Sequence, residues 1–158
     1  MTIGTNGGIY TNTLQPAFLS YQASNATNAT GNSTNYTLGT TVDLTGIFDQ
    51  NSNMNNTTGT FTAPLTGIYM FSASAAVTNT TVANAFSLFF ISSNRSYLFS
   101  MARSALSGNQ TPAYKVLADM DAADTCIVII TAGGEAAATD TVAGDANAFT
   151  SFGGIMVA

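Results

Sequence analysis

The sequence has no histidine, no tryptophan, one cysteine and three basic residues among 158. Each shortage excludes something. Without histidine there is no Ser-His-Asp or Cys-His catalytic set. A single cysteine, Cys126, allows no intrachain disulfide, so a disulfide-stapled scaffold is ruled out. It sits in the apolar run TCIVII and reads as a buried small hydrophobe with no imidazole beside it to activate it. Arg95, Arg103 and Lys115 cannot neutralise a run of phosphates, which argues against nucleic acid as a partner. The net charge of −5 disfavours anionic membrane surfaces. No apolar run approaches the roughly 20 residues of a membrane helix. The opening MTIGTNGGIY has neither the basic start nor the apolar core of a signal peptide. The absence of tryptophan argues against a glycosidase, which grips sugar rings in an aromatic cleft beside its paired carboxylates. No phosphate-binding Walker loop or dinucleotide fingerprint is present, and the glycine-rich GTNGG (4–8) neither follows a strand nor opens a helix.

What is present is apolar and uncharged. Hydrophobic residues make up 46% of the chain, enough for a core. Charged residues make up 7%, against roughly a quarter in ordinary soluble domains. The polar remainder is mostly Thr, Asn and Ser, giving a surface rich in hydrogen-bonding groups but nearly free of charge. Such a surface suits an extracellular or particle-bound protein. Without a secretory leader, release by lysis as part of a virion is the expected route.

Residues 1–15 are Gly/Asn/Thr-rich and read as an extended arm, with Ile3, Ile9 and Tyr10 as its apolar anchoring residues. A single domain is expected over 16–158. PAFLSYQA (16–23) is a strand candidate with proline at its tolerated first position. SNATNATGNSTNY (24–36) reads as a polar loop. Its Asn-x-Thr units at Asn25, Asn28, Asn32 and Asn35 match a glycosylation acceptor, but low-complexity loop chemistry is the simpler reading without a secretory route. Strands are then expected at 38–48, 58–63, 67–77, 85–91, 95–102, 113–119, 125–132, 138–143 and 148–157. Val, Ile, Thr, Phe and Tyr dominate these runs, and Gly, Asn and Asp clusters separate them. Only 99–106 shows a weak helical period. The pattern predicts an all-β antiparallel sandwich or jelly roll. AFSLFFI, TCIVII and FGGIMVA are apolar on both faces, where a sheet with one wet face should alternate. Either another subunit covers the second face or these strands are fully internal.

One stretch carries a signature. In GTFTAPLTGIYMF (59–71), Phe61 is followed by five residues and then by Gly67-x-Tyr69-x-Phe71. Thr58-Gly59 and Ala63-Pro64 complete a TG-x-F-T-x-P turn. Phe152-x-Gly154-x-Met156 closes the chain, and an Asp121–Asp124 turn precedes CIVII. This set resembles the C1q/TNF-like jelly-roll family over about 16–158. The sequence departs from that pattern at Ala73 and Met54, where aromatics are usual, and at Asp43, where a phenylalanine is expected.

The resemblance implies a compact, non-enzymatic homotrimer. Phe61, Tyr69, Phe71, Phe89, Phe149, Phe152 and Met156 would pack the sandwich or its trimer axis, with Pro64 and Gly67 turning the chain between strands. No cofactor is expected. Some relatives in the family hold calcium near the trimer axis, and Asp119, Asp121 and Asp124 are weak candidates for it, against plain turn chemistry. Two roles follow. The first is a capsid decoration (cement) protein of a virus, anchored on the major capsid protein by its arm. The second is a C1q-like receptor-binding head on the shaft of a phage tail fibre, touching host glycan or protein through Asn28, Asn32, Tyr36 and Asn109. A soluble secreted recognition protein is a third reading, weakened by the missing leader and disulfides.

Overall fold

The computed structural model describes residues 2–3, 9–10, 15–106 and 110–158, and among them there are sixteen strands and no helix. The first two, β1 (Thr2–Ile3) and β2 (Ile9–Tyr10), pair with each other. Six more complete the first half: β3 (Ala17–Gln22), β4 (Ala26–Thr30), β5 (Asn35–Thr37), β6 (Leu44–Asp49), β7 (Met54–Asn55) and β8 (Thr60–Thr62). The second half holds β9 (Gly67–Ser74), β10 (Ala76–Thr78), β11 (Ala83–Ser92), β12 (Ser96–Leu106), β13 (Ala113–Met120), β14 (Thr125–Gly133), β15 (Asp140–Ala143) and β16 (Ser151–Met156).

Two antiparallel sheets face one another. One runs β13-β9-β16-β3-β6; the other runs β12-β11-β14-β8-β7, with β5 also on β14. A small third sheet, β10-β15-β4, closes one end. The order interleaves distant strands: β16 lies between β9 and β3, so the last strand fills the middle of its sheet. This is the expected all-β jelly-roll sandwich.

Period-two alternation decides which side chains enter the core. Phe18 on β3, Phe61 on β8, Tyr69 and Phe71 on β9, Phe86 and Phe90 on β11, and Phe152 on β16 are all buried. Phe71 sits among five other rings. It stacks on Tyr69 at 6.0 Å and on Phe90 at 6.4 Å, and meets Phe61 at 5.5 Å, Phe152 at 5.8 Å and Phe18 at 6.5 Å. Phe18 also stacks on Phe61 at 4.8 Å and meets Phe152 edge-on at 4.9 Å. Such pairs contribute about 0.5–1.5 kcal/mol each beyond the area they bury. The signature stretch therefore supplies the interior of the sandwich: Phe61 and Phe71 pack together inside one chain.

The turns of that signature have physical causes. The Tyr69 hydroxyl donates to the Leu65 carbonyl at 2.7 Å, closing the turn after Pro64. Gly59 has φ +63, and a Cβ there would lie 1.7 Å from the Leu38 carbonyl oxygen, so only glycine fits.

Several expectations are corrected. Residues 24–36 are not simply a loop: they form β4 and β5. Thr30 is buried there, accepting the Ala132 N–H at 2.8 Å and donating to the Thr34 carbonyl at 2.7 Å. A bulge hides β4 from a period-two reading, since Thr30 pairs Asp140 while Ala26 pairs Val142, with Asn28 at φ +55 between them. Residues 38–43 form turns rather than strand, and 99–106 belong to β12 rather than to a helical segment. Phe89 points out of its sheet and is half-buried, because Leu88 and Phe90 hold the inward positions. Phe149 is 50% exposed in the turn before β16, so of the two packing places expected for it and for Phe89 the sandwich interior is taken away, while Met156 is partly buried against the core.

A Cβ on Gly154 would lie 2.7 Å from both Phe18 and Phe71 ring carbons. Gly154→Ala should therefore overpack the aromatic centre and lower stability by about 1–3 kcal/mol, read from chemical denaturation midpoints. An unchanged midpoint would show that the rings yield freely.

Candidate functional site

The outer face of the β13-β9-β16-β3-β6 sheet is the strongest candidate. The alternation that sends Tyr69 and Phe71 inward sends Ile68 and Met70 outward, both exposed. Register then assembles a patch. Met70 pairs with Leu117 on one side and with Ile155 on the other, and Leu19 pairs with Phe48. Leu117 is 61% exposed, Phe48 48%, Met70 37% and Ile155 36%. Gly153 and Gly154 floor a groove between Phe48 and Met70. The neighbouring rows are polar: Ser72 lies between Lys115 and Gly153, and the Ser74 and Ser151 hydroxyls meet at 2.9 Å. An apolar field bordered by hydroxyls is the composition of a surface that packs against protein.

The opposite sheet is also partly apolar on its outer side. Phe89 stands between Leu98 and Ile129, and Ile91 beside Ile127. These chains shield one another, and only Leu98 is strongly exposed. AFSLFFI and TCIVII are thus apolar on both faces as they read in sequence.

The expected site residues scatter. Asp119 points outward from β13, while Asp121 and Asp124 lie in the following turn. The Asp124 carboxylate accepts the Asp121 N–H at 2.7 Å and the Asn94 amide at 2.6 Å, and Asp121 faces the Thr66 hydroxyl at 3.4 Å. Among the described residues no group of three or more acidic, His or Cys side chains could hold a metal ion. Asp121 and Asp124 thus take part in the turn's own hydrogen bonds.

Tyr36 is corrected too. It is not a loop-tip residue but a buried one, donating its hydroxyl to Gln22 Oε1 at 2.6 Å, while the Gln22 amide donates to the Val142 carbonyl at 2.8 Å. Burial pushes its phenol up to about 12. Asn28 and Asn32 are exposed, and Asn32 accepts the Thr34 N–H at 3.2 Å. Asn109 lies outside the described residues. The backbones of Ile3, Ile9 and Tyr10 belong to β1 and β2, but the placement of these side chains lies outside what is described. Cys126 is buried, and burial raises its thiol to about 12, so it is inert.

A family model for the C1q domain matches residues 21–157, most of the chain. The chain belongs to the C1q domain family. Solved structures with the same fold include the globular domain of zebrafish complement 1qA protein, at 17% identity and a TM-score of 0.62, covering 91% of this chain and 98% of that one. Murine APRIL at pH 5.0 follows at 11% identity and TM-score 0.61, covering 90% and 99%. Eiger TNF from S. frugiperda gives 10% identity and TM-score 0.58, covering 91% and 93%. At these identities the likeness is one of fold. Among curated proteins no sequence matches. Within the C1q domain the residues of the apolar sheet face were legible only in part. FGGIMVA carries Ile155, but the same both-faces signal in GIYMF is masked by the stronger aromatic signature.

Replacing Tyr36 with phenylalanine strands the buried Gln22 carbonyl oxygen. The expected loss is about 1–3 kcal/mol of unfolding free energy. A surface recognition role for Tyr36 would instead leave the unfolding curve in place.

Proposed function

We propose that this C1q domain is a non-enzymatic assembly module whose working form is a homotrimer. The observation that carries the proposal is the exposed apolar field of Leu117, Met70, Ile155 and Phe48, with the half-buried Leu19 beside Phe48. A monomer would leave it in water, while a second copy would bury it. Apolar burial stabilises by about 25 cal/mol per Å², less the ordering costs of association. No histidine is available for acid–base work near neutral pH, and the one thiol is inert. The structural neighbours support the trimer through their shared fold alone.

Within that reading we favour decoration of a viral particle, as a cement protein on the major capsid protein. The support is compositional: a nearly uncharged Thr/Asn/Ser chain, and an N-terminal stretch that precedes the residues matched by the C1q model. The alternative, a receptor-binding head on a tail fibre, keeps Asn28 and Asn32 as exposed candidates and loses Tyr36.

Light scattering after size exclusion tests the assembly. Wild type is expected at trimer mass, and Met70→Glu with Ile155→Glu at monomer mass with its β circular dichroism retained. A monomeric wild type would defeat the proposal. For the finer reading, a chain lacking residues 1–15 should stay trimeric but no longer co-sediment with particles. Continued co-sedimentation would remove the arm from the anchoring role.

A further inference from the structure

Asp140 is fully buried at the start of β15, and among the described residues neither of its carboxylate oxygens has a hydrogen-bond partner. A buried ionised carboxylate with no donor is costly, and the usual compensations are a cation or a proton. Its surroundings are specific. The carboxyl carbon lies 3.2 Å from where a Gly31 Cβ would stand, and the Ala137 carbonyl oxygen lies 3.0 Å from the same point. Gly31 has φ +130, so this corner is built around a residue without a side chain. The Thr139 N–H borders the same point, yet neither Asp140 oxygen takes it.

The ionisable surroundings are sparse. Of the strands paired with β15, β4 (ATNAT) and β10 (AVT) contain no ionisable side chain. The 134–139 turn contributes Glu135, whose negative charge acts on Asp140. Glu135 is already engaged. It accepts the Thr81 N–H at 2.8 Å, the Val82 N–H at 2.7 Å and the Thr81 hydroxyl at 2.9 Å. Its own N–H donates to the Gly31 carbonyl at 2.9 Å. Glu135 thus clamps the corner shut and holds a second negative charge near Asp140, with its oxygens committed elsewhere.

We propose that Asp140 is a proton-operated latch at the corner where β4, β15 and the 134–139 turn meet. With its proton the carboxyl is neutral and the corner stays closed; on ionisation, the buried charge and its repulsion by Glu135 loosen it. Burial first and Glu135 second raise the Asp140 carboxyl from 3.8 to about 6. A raised folded-state value means that stability is fully present below about 4 and is lost as pH climbs through about 6. The Glu135 carboxyl is held below its usual range by the Val82 and Thr81 N–H groups, so its clamp weakens only in stronger acid. The corner is therefore tightest in mild acid.

The test uses the full chain. Thermal midpoints are measured at pH 5.0 and 7.5 for wild type and Asp140→Asn, with the carboxyl carbon of Asp140 titrated by NMR in wild type. The expected result is a wild-type midpoint several degrees lower at pH 7.5, a smaller fall in D140N, and an Asp140 titration well above the ordinary carboxylate range. Amide exchange, corrected for its intrinsic pH dependence, should be faster at pH 7.5 for Gly31 and Glu135 in wild type. An Asp140 titration near 4 overturns the latch, as does a D140N midpoint that falls as far as wild type. Calcium chloride at pH 7.5 supplies the remaining check: a midpoint restored in wild type and not in D140N would make a cation the partner and overturn the proton reading.

Discussion

The Phe71 ring touches aromatic residues from both sheets, and the rest of the fold is arranged so that it can. Phe18 and Phe152 reach it from its own sheet, and Phe61 and Phe90 from the other. The rings fill the sandwich so closely that the backbone beneath them must give way, which is why Gly154 faces Phe18 and Phe71 across the sheet. Close packing of this kind fixes register, because a one-residue slip would send every ring to the outer face.

That constraint has an outward consequence. Once Tyr69 and Phe71 are committed to the interior, their neighbours Ile68 and Met70 can only face out. The same logic places Leu117 and Ile155 beside them. The apolar outer field is therefore positioned by the aromatic interior, so core and assembly surface are two sides of the same strands. The polar end of the molecule is organised differently. There Thr30, Gln22 and Tyr36 are buried with partners, while Asp140 is buried without one among the described residues.

Much of this was legible in sequence, and the reasons for the misses are physical. The F-T-A-P…G-I-Y-M-F stretch and the closing F-G-G strand identify the fold because their residues have few alternatives: rings that must stack, and glycines where backbones nearly touch. Most strands from 44 onward were visible as apolar runs between turn residues. β4 and β5 were not, because Asn and Thr dominate them and a bulge breaks the alternation of β4. Tyr36 looked like a loop residue for the same reason. For Phe89 and Phe149 aromatic character alone does not separate the sandwich interior from a trimer axis, because it does not say which face a strand turns inward, and neither ring is buried within the single chain. Of the three aspartates near 120, only Asp121 and Asp124 lie in the turn, and the Asp124 carboxylate takes the turn's own Asp121 N–H, a pairing that spacing alone could not separate from ligand geometry.

The place of β16 between β9 and β3 has a bearing on synthesis. A ribosome delivers β3 and β9 long before β16, and until that last strand emerges the sheet has a slot down its middle. Both rims of the slot present unpaired backbone, and Phe18 and Phe71 lack the Phe152 ring that joins them. The nascent chain must wait in that state, where edge-to-edge pairing between polysomal neighbours competes with completion. The net charge of −5 supplies some repulsion between such neighbours, but it is carried by few residues, so rapid insertion of the final strand shortens the exposure.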